Sequence, residues 1–274
     1  MSELAHCVIE TLLEGDEFLA SRVTGGDGLP PRLLVMSAAE STPMSLARLE
    51  HAYSLREELN PSWATHPLEL VRHEGKPALL LHDPGGEFLE SLLGERWPVS
   101  QGLEIAIGMV AALGRCHAQG LIHRDIQPGS FLVNPATGAA WLTSFGLTSR
   151  LPRHRQSPEP PEVIAGTLAY IAPEQTGRMN RCVDLRSDLY SLGVTLYEMF
   201  TGELPFTASD PMEWVHCHIA KPPLPPSERA AGIPEPVCEI IMKLLAKAPE
   251  ERYQTAAGAE ADFRLCLSAL ETDG

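Results

Sequence analysis

Residues 123–130 of the chain read His-Arg-Asp-Ile-Gln-Pro-Gly-Ser, and this stretch is the first of three short motifs. Ser144-Phe145-Gly146 follows it, and Ala172-Pro173-Glu174 completes the series. Each motif alone could arise by chance in a chain of 274 residues. Their order and spacing along one part of the chain carry far more information about the fold than any one of them.

Apolar side chains recur at intervals of three and four on both sides of these motifs, as in helices with one buried face. Such patterns predict helices around residues 103–113, 189–199, 237–245 and 259–270. Asp210-Pro211 favours the start of another helix, because proline is well tolerated in a first helical turn. The region after Pro84-Gly85-Gly86 is therefore expected to be mostly α-helical.

The region before that Pro-Gly-Gly sequence has the pattern of a small sheet with one helix. Apolar runs at residues 17–23 and 32–36 predict strands, and runs at 68–73 and 78–81 predict a hairpin. Residues 45–59 repeat apolar side chains at helical spacing, and Asn60-Pro61 ends that helix. We therefore expect an α+β fold, with a small β-rich lobe carrying one helix at 1–84 and a larger, mostly α-helical lobe at 85–274, both within one domain.

The composition excludes some classes of partner. The chain contains 21 Lys and Arg against 36 Asp and Glu, a formal net charge of −15. A surface for nucleic acid or an anionic membrane needs a dense field of positive charge, so neither partner is expected. No apolar run of about 18 residues is present for membrane insertion. Six scattered cysteines without a secretory signal predict a reduced, cytoplasmic environment.

The motifs and the two-part outline resemble the serine/threonine protein kinases. His123-Arg124-Asp125 resembles the catalytic loop, Ser144-Phe145-Gly146 stands at the D-F-G position, and Ala172-Pro173-Glu174 resembles A-P-E. The resemblance covers nearly the whole chain and implies the bilobal kinase fold. It assigns architectural roles, in stacking, ion pairing and bracing of the catalytic loop, to a set of retained residues. These are His123, Arg124, Phe145, Gly146, Thr167, Glu174, Asp188 and Arg252.

A narrower resemblance lies in residues 166–170 and 173–181, which read Gly-Thr-Leu-Ala-Tyr and Pro-Glu-Gln-Thr-Gly-Arg-Met-Asn-Arg, and in residues 214–219. These segments are similar to the amino-terminal kinase-like domain of large bacterial trifunctional signalling proteins. In that group the kinase-like domain precedes an ATPase-like module and a sensor histidine kinase. The resemblance implies that the chain is an amino-terminal piece of a longer protein, that those modules or separate proteins are its partners, and that a domain boundary lies near Gly274.

The resemblance places Asp125 at the position of the base that orients a substrate hydroxyl and accepts its proton. The lysine that grips the nucleotide phosphates falls at Met36 when residues 33–36 are aligned with V-A-I-K. Residues 1–75 contain no lysine at all. Ala52 replaces the helix glutamate that pairs with that lysine, with Glu50 as the alternative if the alignment shifts.

The other positions at which a kinase contacts the phosphates or Mg²⁺ are also occupied by uncharged residues. Gln127 replaces a catalytic-loop lysine, and Ser130 and Ser144 replace the asparagine and aspartate that hold Mg²⁺. Residues 14–18, Glu-Gly-Asp-Glu-Phe, offer one glycine where G-x-G-x-x-G is expected, and their Asp16 and Glu17 would repel phosphate. Because Mg²⁺ prefers anionic oxygen ligands, no metal site and no cofactor are expected, although ATP binding without normal Mg²⁺ coordination stays open.

These substitutions favour a pseudokinase, a kinase-fold regulatory or scaffolding module in which Asp125 is vestigial and only organises its loop. The alternative is a weakly active serine/threonine kinase, or a non-standard ATP-binding one, that uses Asp125. A third hypothesis is a metal-independent nucleotide binder that changes shape.

Two local clusters have ordinary interpretations beside functional ones. Arg150, Arg153, His154 and Arg155 precede Ser157 and are most simply a solvated loop, yet Arg124 could pair with a phosphate on Thr148, Ser149 or Ser157. His216-Cys217-His218 holds metal-ligand residue types, but neighbours on a helix point in different directions, so a metal is not expected there.

Overall fold

The computed structural model describes residues 7–15, 17–25, 30–38, 42–94, 97–151 and 164–273. The described amino-terminal residues form an antiparallel sheet of five strands in the order β1-β2-β3-β5-β4. Its strands are β1 (Val8–Glu14), β2 (Phe18–Thr24), β3 (Arg32–Ser37), β4 (Pro67–His73) and β5 (Lys76–His82). One helix, α1 (Pro43–Ser54), connects β3 to β4 and packs on the sheet.

The predicted strands at 17–23 and 32–36 and the predicted hairpin are confirmed, whereas β1 was not predicted. Most side chains of β1 are exposed, so its sequence lacks the alternation that marks a half-buried strand. The helix is shorter than predicted and ends at Ser54, because turns replace it at residues 55–58. Leu55 and Leu59 stay buried beyond its end, and they extended the apolar pattern past the helix itself.

The rest of the described chain is mostly helical, as predicted. Its elements are β6 (Glu87–Phe88), α2 (Val99–Ala118), β7 (Leu121–Ile122), β8 (Phe131–Asn134), β9 (Ala139–Leu142), β10 (Ser149–Arg150), α3 (Leu185–Thr201), α4 (Pro211–Ile219), α5 (Pro226–Arg229), α6 (Glu235–Leu244) and α7 (Ala256–Asp273). Helix α2 packs against α7 and α3, and the short strands β6, β8 and β9 form a second sheet.

The connection between the two parts is held by an ion pair and a close backbone approach. Arg22 on β2 donates to both carboxylate oxygens of Asp83, at 2.5 and 3.4 Å, and to the carbonyl oxygen of Gly86 at 2.8 Å. Gly86 has φ +85°, and a Cβ there would lie 2.4 Å from the Val133 carbonyl oxygen. The backbone at residue 86 therefore requires glycine.

Glu174 and Arg252 form a fully buried ion pair, with side chains 1% and 0% exposed. The guanidinium donates to both carboxylate oxygens, at 2.7 and 2.9 Å, and to three backbone carbonyl oxygens. Ser187 Oγ donates to Glu174 as well. Because all these groups are partnered, the pair joins the A-P-E segment to α3 and to the segment before α7 without an uncompensated charge.

Glu174→Ala should lower the free energy of unfolding by about 3–5 kcal/mol, because it leaves the Arg252 guanidinium buried without its counter-charge. Urea unfolding followed by circular dichroism measures this change. Glu260→Ala is the matched control, since Glu260 pairs with Arg264 one turn away on the surface of α7 and the loss there should be below about 0.5 kcal/mol. Equal effects of the two substitutions would contradict a structural role for the buried pair.

His218, in the His-Cys-His sequence, is buried on α4 and serves packing. Its Nε2 lies 2.9 Å from the Leu168 carbonyl oxygen and its Nδ1 lies 3.0 Å from the Tyr190 hydroxyl. Since a carbonyl only accepts, Nε2 carries the proton and the Tyr190 hydroxyl donates to Nδ1. No group of three His, Cys, Asp or Glu side chains in the described ranges is arranged to hold a metal ion.

Burial lowers the pKa of His218 to about 4, from 6.5 for an exposed imidazole. The unfolded chain therefore binds a proton between pH 6.5 and about 4 that the folded chain excludes, so stability falls as pH drops through this window. The loss approaches about 3 kcal/mol at pH 4. His218→Gln keeps a donor for Leu168 but does not titrate. The difference in unfolding free energy between parent and variant should shrink by about this amount from pH 7 to pH 4, and a constant difference would contradict the assignment.

Candidate active site

The catalytic loop is held by the carboxylate of Asp188 at the start of α3. Its oxygens accept the backbone N–H groups of His123 and Arg124, both at 2.8 Å, and Oδ2 lies 2.9 Å from His117 Nε2. Arg124 has φ +70°, a conformation that a residue with a side chain adopts only at a cost. The two hydrogen bonds to Asp188 hold the loop in this conformation.

Aromatic contacts connect the loop to the Ser144-Phe145-Gly146 segment. The rings of His123 and Phe145 meet edge to face with centroids 5.1 Å apart, and Trp63 packs on the same Phe145 at 6.2 Å. His123 Nε2 lies 2.7 Å from the Thr143 carbonyl oxygen and donates to it. The loop and the Phe145 segment therefore form one packed unit.

Asp125 points toward the end of the activation segment. Its Oδ1 accepts the backbone N–H of Thr167 at 3.0 Å and the Thr167 hydroxyl at 3.2 Å. Gly166, with φ +107°, makes this approach possible, because a Cβ there would lie 3.0 Å from the Arg124 carbonyl oxygen. Asp125 thus has a structural partner independent of any substrate.

A cavity of about 720 Å³ lies between the sheet and the catalytic loop. Its buried lining is mostly apolar and includes Leu49, Ala52, Leu79, Leu81 and Phe145. Five carboxylate side chains line it as well, and Arg48 is the one lysine or arginine among its described lining residues. The carboxylates belong to Glu14, Glu17, Glu90, Asp125 and Glu198.

The structure corrects the position of Met36. Side chains alternate between the faces of a strand, and on β3 Leu33 and Val35 face the main core while Leu34 and Met36 face the other side of the sheet. Met36 is 7% exposed and packs in a small cluster with Val23 and Leu80, away from the cavity. Val35, one residue earlier, lines the cavity and takes the place assigned to Met36.

Ala52 on α1 lines the same cavity, as the alignment placed it, whereas Glu50 is exposed and does not line it. Gln127 and Ser144 also line it, and Ser144 is exposed. Ser130 is fully buried, and its hydroxyl accepts from the Gln127 N–H and donates to the Gln127 carbonyl oxygen. The hydroxyl is thereby engaged within its own loop. The two serines thus do not fit a Mg²⁺ site, because they supply no anionic oxygen and one of them is already bonded.

Arg48 and Glu17 form an ion pair inside the cavity that the sequence analysis missed. A Cβ on Gly146 would lie 2.9 Å from the Cβ of Arg48, so this part of α1 rests directly on the Phe145 segment. Burial raises the pKa of Glu17, the Arg48 guanidinium opposes that rise, and the Asp125 carboxylate adds to it. Arg48 lies four residues before Ala52, and helical spacing puts both on one face, which is the signal that could have found it.

A second acidic position in the cavity is Glu198 on α3, which accepts a hydrogen bond from the Tyr170 hydroxyl at 2.5 Å. Burial and the carboxylate of Glu90 raise the pKa of Glu198. Burial and the neighbouring Glu198 raise the pKa of Tyr170 above its usual value. The acidic lining of the cavity thus extends to α3, where Glu198 contacts Tyr170 of the activation segment.

The family model of the protein kinase domain matches residues 83–263, which include the braced catalytic loop, the Phe145 segment and the A-P-E segment. The chain belongs to the protein kinase family. This confirms the predicted kinase fold. The match begins after the five-stranded sheet and α1. Val35 and Ala52, which line the cavity, therefore lie before the matched residues.

Among curated proteins, this kinase chain is similar to bacterial serine/threonine-protein kinases. It is 35% identical over 189 residues to serine/threonine-protein kinase PknB of Mycobacterium tuberculosis, an alignment that covers 68% of this chain and 30% of that protein. It is 40% identical over 166 residues to PknB of Mycobacterium leprae, covering 61% and 26%. A probable PknB of Bifidobacterium longum is 32% identical over 192 residues, covering 69% and 27%. The kinase chain thus spans under a third of the length of these relatives.

Two of the three hydroxyl groups considered for phosphorylation lie within the described residues. Thr148 is buried, which leaves its hydroxyl inaccessible to modification, whereas Ser149 is partly exposed in β10. The structure does not describe Asp16, Arg153, His154, Arg155 or Ser157.

In the ranges that the structure covers, no helix combines the length and apolar character needed to cross a membrane.

The register of β3 predicts different outcomes for lysine at adjacent positions. Met36→Lys should cost at least about 3 kcal/mol of unfolding free energy, because it places an ammonium group in a small apolar cluster. Val35→Lys should cost markedly less, because its side chain enters a cavity lined by carboxylates. Urea denaturation of the two variants measures the difference. A larger loss for Val35→Lys would show that the assigned register is wrong.

Proposed function

We propose that this kinase-family chain is a pseudokinase, a catalytically impaired domain that acts as a regulatory or scaffolding module in bacterial signal transduction. The observation that carries the proposal is the pair Val35 and Ala52 in the cavity, where a kinase places the lysine and glutamate that grip the nucleotide. In this proposal residues 1–84 and 85–274 form the two lobes. The retained residues His123, Arg124, Phe145, Gly146, Thr167, Glu174, Asp188 and Arg252 maintain the scaffold.

The charged side chains that line the cavity support impaired nucleotide binding. A nucleoside triphosphate brings several negative charges to a space already lined by five carboxylates. Arg48, the one arginine among its described lining residues, is paired with Glu17. Since each tenfold in rate corresponds to about 1.4 kcal/mol, losing the charge neutralisation of lysine and Mg²⁺ amounts to orders of magnitude in phosphoryl transfer.

The alternative function is serine/threonine phosphorylation with Asp125 as base. Two observations favour it: Asp125 is positioned by its hydrogen bonds to Thr167, and the similar bacterial proteins are named serine/threonine kinases. Neither observation identifies a side chain that would neutralise the negative charge of the nucleotide phosphates. The pseudokinase proposal is therefore the better supported of the two.

Partners and location are part of the same proposal. We infer that the domain acts on ATPase-like and histidine kinase modules of a longer signalling protein, or on separate protein partners, and not on nucleic acid. The cysteines support a reducing cytoplasmic location, because Cys7, Cys116, Cys182, Cys217, Cys238 and Cys266 are all free.

ATP binding in the presence and absence of Mg²⁺ tests the proposal directly. The parent chain should show no saturable binding up to about 1 mM by isothermal titration calorimetry, and no transfer of labelled γ-phosphate to itself or to a generic protein substrate. Transfer that Asp125→Asn abolishes would instead establish the alternative.

A double variant that restores the lysine and the glutamate tests the same proposal through a gain of ATP binding. Val35→Lys with Ala52→Glu restores the missing ion pair and should strengthen ATP binding at least about tenfold, because a lysine phosphate contact is worth more than about 1.4 kcal/mol in a partly buried site. Met36→Lys with Ala52→Glu is the matched control and should gain nothing. Equal gains in both variants would contradict the assigned role of Val35.

A further inference from the structure

Lys247, between α6 and α7, lies against aromatic side chains and is partly exposed to solvent. Its Nζ is 4.4 Å from the centre of the Phe206 ring and 5.7 Å from the centre of the Tyr190 ring. The same nitrogen donates to the Cys217 carbonyl oxygen at 3.0 Å and to the Tyr190 hydroxyl at 3.4 Å. An uncharged amine has two N–H groups, so these two acceptors satisfy it and leave its lone pair free.

The charges around Lys247 do not balance. Arg252 lies over the same Tyr190 ring, with its Cζ 4.8 Å from the ring centre. Both oxygens of the nearby Glu174 carboxylate accept from Arg252, so this carboxylate neutralises the arginine and not the lysine. No ion pair found in the described ranges involves Lys247. One unpaired positive charge is therefore left beside Tyr190.

Lys247 is the group that can relieve this excess charge, because a guanidinium keeps its proton in proteins. Burial lowers the pKa of the Lys247 ammonium to about 8, the Cys217 thiol opposes that decrease, and the Arg252 guanidinium adds to it. The other titratable neighbours are uncharged at neutral pH, since burial lowers the pKa of His218 to about 4 and raises that of Tyr190. Desolvation and a second cation are two ways in which lysine nucleophiles are activated.

We propose that Lys247 is a reactive lysine that accepts an acyl group from an acyl phosphate. The uncharged Nζ attacks the acyl carbonyl carbon, a C–N bond forms, and the C–O bond to the phosphate breaks. The phosphate leaves with the electron pair of that bond and takes the proton that the nitrogen loses, so the products are an amide and inorganic phosphate. The amide carries no charge, and its N–H can still donate to the Cys217 carbonyl oxygen. The reaction therefore removes the unpaired positive charge.

Acetyl phosphate is the probe, and the other lysines of the chain are internal references. The sequence contains four lysines, Lys76, Lys221, Lys243 and Lys247, and Lys221 is exposed. After incubation of the intact chain at about pH 7.5, peptide mass spectrometry should show that Lys247 is acetylated at least about tenfold faster than Lys221, because a larger fraction of its amine is uncharged. An equal or slower rate at Lys247 would overturn the proposal.

The pH dependence of the same reaction separates reactivity from accessibility. The rate at Lys247 should level off above about pH 8, whereas the rate at Lys221 should keep rising toward about pH 10.4. Parallel profiles for the two lysines would contradict the proposal, whatever their absolute rates.

Unfolding the chain in guanidinium chloride is the control for local sequence. All four lysines should then react at similar rates, because the aromatic neighbours and Arg252 no longer surround Lys247. An advantage of Lys247 that persists in the unfolded chain would show that the folded cluster is not its cause. The result is independent of the proposed function, because Lys247, Tyr190 and Phe206 do not line the cavity.

Discussion

The carboxylate of Asp188 accepts two backbone N–H groups of the catalytic loop, and the arrangement of the site depends on this contact. A buried carboxylate needs donors, and the N–H groups of His123 and Arg124 supply them while Arg124 is held at φ +70°. With that loop fixed, His123 meets Phe145 and Asp125 meets Thr167. None of these contacts requires a nucleotide, so they hold the catalytic loop in place whether or not a nucleotide is bound.

The same rule for buried charge explains which charged pairs are present. Glu174 and Arg252 occur together, with every donor and acceptor satisfied, because losing either would leave an isolated ion in the interior. Val35 and Ala52 also occur together, at the place of the nucleotide-gripping pair. In the proposed role, a glutamate at residue 52 without a lysine at residue 35 would lack its partner, so both members of that pair are replaced together.

Much of the fold was predictable, and the failures have physical causes. The long helices α2, α3, α6 and α7 follow periodicities that burial imposes, so apolar spacing predicted them, whereas the kinase fold was predicted from the resemblance of the motifs. Strand β1 was missed because its exposed side chains carry no alternation. Met36 was misplaced because the alignment of residues 33–36 with V-A-I-K is uncertain by one residue, and a shift of one residue on a strand moves a side chain to the opposite face. The pair of Arg48 and Glu17 joins α1 to the β1–β2 hairpin, and no local pattern shows that these segments meet.

The retention of Asp125 fits this account without catalysis. Its Oδ1 accepts both the backbone N–H and the hydroxyl of Thr167, so its carboxylate positions the end of the activation segment. His218 on α4 holds the next residue of that segment through a hydrogen bond to the carbonyl oxygen of Leu168. Replacing Asp125 by a neutral residue would weaken an ordered segment whether or not a phosphate is ever transferred. A carboxylate at this position is therefore evidence for an ordered activation segment first, and for a catalytic base only where groups that neutralise phosphate stand beside it.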